Sequence, residues 1–143
     1  MSASGPAAPP QPPSRLREFF NTCPLVTSAT LLACVAVYVA DNLLDFGAAL
    51  AVTAVSPATV FGQLQLYRVV TAAFTHGGVL HVGMNMLSLV SLGSSLEPLF
   101  GSLGFFFLTL LYTVLVGLLF CCLGALASLG AASFWYASAV GQS

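Results

Sequence analysis

The run HGGVLHVGMNMLSLVSLG, residues 76–93, sets a histidine and an asparagine one helical turn apart in an almost chargeless apolar segment. The two are His81 and Asn85, and a spacing of four residues puts them on the same helix face. Polar side chains at bilayer depth are expensive, so they face the protein interior and bind or react with something. An imidazole and a carboxamide can both donate hydrogen bonds, and together they suit a spot where negative charge develops. The chain's last residues, Gly141-Gln142-Ser143, supply a hydroxyl that could act as nucleophile.

Composition points to a membrane. Of 143 residues, 58% are apolar and 5% are charged, and there is no lysine. A soluble domain carries about 25% charged residues, so such a surface would not stay dispersed in water. A net charge of −1 excludes a nucleic-acid surface. Residues 1–20 open with MSASGPAAPPQPPS, rich in Pro, Ala and Ser with no apolar core, and read as a disordered cytosolic tail. Cys23, Cys34, Cys121 and Cys122 show no metal-ligand spacing and read as small buried hydrophobes. No metal and no cofactor is expected.

At roughly 20 residues per pass, the hydropathy pattern predicts an all-α polytopic bundle of three transmembrane helices plus the start of a fourth. The first is expected over about 24–40, between Arg15/Arg17 and Asp41/Asp45. The arginines place the N-terminus in the cytosol by the positive-inside rule. Residues 46–67 lack charge but are interrupted by Gly47, Pro57, Gly62, Gln63 and Gln65. They read as a connecting segment at the interface. The second helix is expected over about 79–96, after Gly77-Gly78, a poor helix interior, with Glu97-Pro98 as its exit. The third is expected over about 103–127, with a stripe of Gly117, Cys121, Gly124 and Ser128 of the kind that lets helix backbones approach. A fourth is expected from about residue 135, by Trp135 and Tyr136.

These residues resemble the rhomboid intramembrane serine proteases at several spacings at once. Tyr67-Arg68 stands where family members carry Trp-Arg, and His76 follows eight residues after Arg68, His81 five later and Asn85 four later. Glu97 and the pair Gly101-Ser102 match the family's Glu and Gly-Ser, and Gly141-Gln142-Ser143 is similar to the start of Gly-x-Ser-Gly. The resemblance covers about residues 21–143. It implies Ser143 as nucleophile, His81 and Asn85 as oxyanion donors, and Gly141 as a close-approach glycine. Arg68, His76 and Glu97 then serve as structural residues. Arg68 is expected to order the loop or meet headgroups, and Glu97 to cap the exit of its own helix or order the turn. Substrates would be transmembrane segments of other proteins, within the bilayer. The form Ala-Val-Gly-x-Ser resembles members of the endoplasmic reticulum and Golgi more than bacterial ones.

Tyr67 replaces the usual Trp, and the family's base histidine would lie beyond Ser143. The chain therefore reads as an N-terminal part of a protease core that should not cleave by itself. The chemistry needs that base, because a serine hydroxyl attacks a carbonyl only when its proton is taken. The oxyanion then needs preplaced donors, each worth about 10²–10³ in rate. Taken singly, an Asn in a membrane helix commonly joins helices, and a lone His is commonly core packing. Their joint spacing with Arg68, His76 and Glu97 favours the protease. The alternative is an inactive rhomboid or derlin-type protein that binds transmembrane clients in quality control. Derlin-type relatives lack the Gly-x-Ser motif present here. A channel or transporter fragment would be expected to show paired broken helices.

Overall fold

The computed structural model describes residues 23–44 and 48–138, and its elements are all helical. Arg15, Arg17, Asp45, Gly141 and Ser143 lie outside the described residues, as does the expected disordered tail. Helix α1 spans Leu25–Leu44, α2 Ala48–Thr53, α3 Arg68–Thr71 and α4 Val79–Ala127. A π-helical turn at Ala58–Gly62 and 3₁₀ turns at Ala72–Phe74 and Ala132–Trp135 complete the chain. Helices α1 and α4 are each long and apolar enough to cross a membrane.

Helix α1 starts at a proline, whose carbonyl accepts the first backbone bond from Ser28 at 2.9 Å. It runs to Leu44 rather than ending near residue 40. Asp41 does not stop it, because the carboxylate accepts the Ala49 N–H at 2.8 Å and so caps the start of α2.

Helix α4 has 49 residues and is broken at Gly101, where φ is 71° and ψ 156°. The arms 79–100 and 102–127 double back on each other. Leu92 and Leu96 of the first share a cleft with Phe105 and Leu108 of the second. Glu97-Pro98 is not the exit expected from the sequence. Proline's fixed φ fits a helix, and the chain reverses only where glycine can take a positive φ.

The start of α1 is pinned to the Gly101 turn. Val26 and Thr27 donate their backbone N–H groups to the Glu97 carboxylate at 2.8 Å each. The Thr27 hydroxyl adds a third bond at 2.8 Å, and the Ser102 hydroxyl a fourth at 2.7 Å. Glu97 is 1% exposed. Its charge meets the free N–H groups and positive dipole end of α1, so it caps α1 and not the exit of its own helix. One turn earlier, Gly93 lets Thr27 in; a Cβ there would collide with the Thr27 side chain.

The small-residue stripe of the second arm receives the connecting segment and the short helix α3. A Cβ at Gly117 would lie 2.9 Å from Val69, and one at Gly124 2.8 Å from Pro57. Val55 and Val60 of that segment and Val69 of α3 close a core with Cys121. The segment's middle is therefore packed into the protein core. Ser56 and Thr59 brace its turn reciprocally, Ser56 N–H to the Thr59 hydroxyl at 3.0 Å and Thr59 N–H to the Ser56 hydroxyl at 3.2 Å, in the manner of a capping box. Cys34 and Cys121 are buried, whereas Cys122 is exposed and Cys23 half-buried. Near residue 135 the described residues end in a 3₁₀ turn, so most of the expected fourth helix falls outside them.

Glu97→Ala should lower stability by more than about 3 kcal/mol, because hydrogen bonds to a charged group contribute about 1.5–3 kcal/mol each. Glu97→Gln, which keeps one acceptor oxygen, should lose less. Thermal melts in detergent followed by circular dichroism check the order; equal melting of Glu97→Ala and wild type would contradict the cap.

Candidate functional site

The site sits where the connecting segment meets the start of α4. Gly78, extended at φ −177°, leads into the helix, and His81 and Asn85 fall on its first turns. Both are exposed, and neither has a hydrogen-bond partner among the described residues. They line one cavity of about 370 Å³ together with His76, Thr75, Tyr112 and Thr113. Their donors are thus free and face a common space large enough for a polar group.

His76 lies just before the helix and is 6% exposed. Its ring meets that of His81 edge to face, with centroids 5.2 Å apart and planes at 68°. Its Nδ1 is buried without a hydrogen-bond partner among the described residues. Burial pushes its pKa below the ordinary histidine value, His81 pushes the same way, and the Phe74 backbone works against both.

The loop carrying His76 is anchored at two points. Arg68, 8% exposed, donates through Nη1 to the carbonyls of Ala51 at 3.0 Å and Ala54 at 3.1 Å. Its Nε donates to the Gln65 side chain. A guanidinium at the end of α2 satisfies carbonyls that have no helical partner. That occupation leaves the group buried and engaged with the connecting segment. The Tyr67 ring lies 5.7 Å from it, so the aromatic in the usual Trp place keeps a contact with the cation. The second anchor is Thr75, whose hydroxyl accepts from that of Thr53 at 3.1 Å.

His76, His81 and Asn85 are brought together, whereas Arg68 and Glu97 serve the scaffold. The sequence reading did not single out Tyr112 and Thr113, which add hydroxyls to the cavity. Their signal was available as adjacent polar groups, with Thr109 one turn earlier, in the apolar run GFFFLTLLYTVLVG. Among the described residues no cluster of three or more His, Cys, Asp or Glu could hold a metal.

The rhomboid-domain family model matches residues 63–142. This chain belongs to the rhomboid family. It is also similar to rhomboid-like protein 15 of Arabidopsis thaliana, 34% identical over 98 residues, which covers 68% of this chain and 24% of that relative. The chain thus spans about a quarter of the relative's length. No solved structure matches it. The rhomboid domain and the long apolar helices α1 and α4 make the chain an integral membrane protein.

The His76 environment makes stability depend on acid. A depressed folded pKa means the fold favours the neutral ring. Its contribution is present above the unfolded value of about 6.5 and is lost as pH falls through the lowered one. Melting temperature should therefore drop between about pH 7.5 and pH 5, and His76→Phe should remove part of that drop. Superimposable pH profiles for the two proteins would count against it.

Proposed function

We propose that this chain carries the oxyanion side of a rhomboid-type intramembrane serine endopeptidase. The observation that carries it is the pairing of His81 and Asn85, two unengaged donors on one helix face, opening on one cavity. Ser143 is the nucleophile in this reading, Gly141 lets backbones approach closely, and a histidine beyond this chain takes the serine's proton. The carbonyl of a client's transmembrane segment enters the cavity, and its developing oxyanion receives the Asn85 amide and a His81 N–H. The membrane arrangement proposed has three spans: α1 and the two arms of α4. Pinning Glu97 to the start of α1 sets the Gly101 turn at the same end as the N-terminus, which the arginines assign to the cytosol. The site then lies toward the luminal or extracellular face, in an endoplasmic reticulum or Golgi membrane.

In the natural full-length protein, Ser143→Ala should abolish cleavage of a membrane-anchored reporter and labelling by a fluorophosphonate. Asn85→Ala and His81→Ala should each slow cleavage by about 10²–10³-fold without abolishing it. Cleavage by Ser143→Ala at the wild-type rate would leave the protein a binder of transmembrane clients.

Topology has its own test. In a background without Cys23 and Cys122, cysteines introduced at Gln63 and Leu99, both exposed, should be labelled by an impermeant maleimide from opposite faces of sealed vesicles. Labelling of both from one face would rule out the three-span arrangement.

A further inference from the structure

The ring of His81 has little on its own helix to hold it. It is exposed, makes no hydrogen bond among the described residues, and Asn85 one turn on does not bond to it. The ring set against it is that of His76, at 5.2 Å and 68°. Aromatic pairs favour this edge-to-face arrangement over the range of about 4.5–7 Å. His76 is itself held from behind. It is buried, and it follows Thr75, which the Thr53 hydroxyl ties to α2. The buried end of the connecting segment is fixed in turn by Arg68 on the carbonyls of Ala51 and Ala54.

A further detail separates packing from hydrogen bonding. The Nδ1 of His76 has no hydrogen-bond partner among the described residues, and a buried polar atom without a partner is a cost to the fold. The contact that His76 makes with the site is therefore ring against ring.

We propose that His76 is a positioning residue for His81, its buried ring setting the plane of the His81 imidazole and so the direction of its N–H. This assignment rests on the proteolytic reading above. An oxyanion donor works through preplacement, and a displacement of about 1 Å at a reacting group costs on the order of 10² in rate. Although His76 also lines the cavity, in this assignment its effect on the reaction passes through the His81 ring.

A double-mutant cycle tests this in the natural full-length protein, with reporter cleavage resolved into kcat and KM. His76→Ala should lower kcat by about 10–100-fold and leave KM within about twofold. His76→Phe, which keeps a ring in the same place, should return kcat to within about threefold of wild type. In a His81→Ala background, His76→Ala should change kcat by less than about twofold, since the residue through which it acts is gone. Should His76→Ala fail to fold, His76→Leu carries the same comparison. A full additional loss on top of His81→Ala, a loss confined to KM, or no recovery with His76→Phe would each overturn the assignment. Those results leave the proteolytic reading standing when Ser143→Ala is inactive. If Ser143→Ala cleaves at the wild-type rate, the proteolytic reading falls and this assignment falls with it.

Discussion

A single buried carboxylate organises the helices. Glu97 receives two backbone N–H groups and a hydroxyl from the start of α1, and another hydroxyl from just beyond the Gly101 turn. An ionised group 1% exposed would be strongly destabilising if unpaired. Here three of the bonds it accepts come from the start of α1 and one from beyond the turn. The start of α1, the end of one arm and the start of the next are thereby fixed at one end of the bundle. Gly93, one turn away, makes that approach sterically possible by leaving room for Thr27.

At the opposite end the same economy of small residues serves a different purpose. Gly117 and Gly124 let the short helix α3 and the irregular segment before it lie directly on the second arm of α4, with Val69 and Pro57 seated against them. Irregular backbone in an apolar setting must find hydrogen-bond partners within the protein. Arg68 supplies two from one side chain, while Ser56 and Thr59 brace each other. This is why a buried arginine is tolerated here: it answers carbonyls that the helix end leaves open.

The scaffold and the site meet in the histidine pair. Carbonyls held by Arg68 and the Thr53–Thr75 bond fix the loop, the loop sets His76, and His76 stands against His81. The donors of His81 and Asn85, like the buried Nδ1 of His76, have no hydrogen-bond partner among the described residues. Groups of that kind in a membrane protein are kept for a ligand or a reaction, which is the physical ground of the rhomboid protease reading.

Much of this was legible in the residues alone. Hydropathy and scarce charge gave the apolar helices, because bilayer thickness translates directly into a run of about 20 residues. The i, i+4 spacing of His81 and Asn85 put them on one face, since helical periodicity is a local property. The spacing from Arg68 through Glu97 gave the family. Partners distant in sequence were not legible. That Glu97 caps a helix start some 70 positions away, that the glycine stripe receives α3 and the connecting segment, and that His76 lies against His81 all depend on how separate segments pack. The helix ends also escaped local reading. Asp41 continues α1 because its carboxylate finds the Ala49 N–H, and the arms of α4 part at Gly101, not at Pro98, because the reversal needs a positive φ. Local periodicity determined the helices and the face of the site; only long-range hydrogen bonds and steric room decided what each face meets.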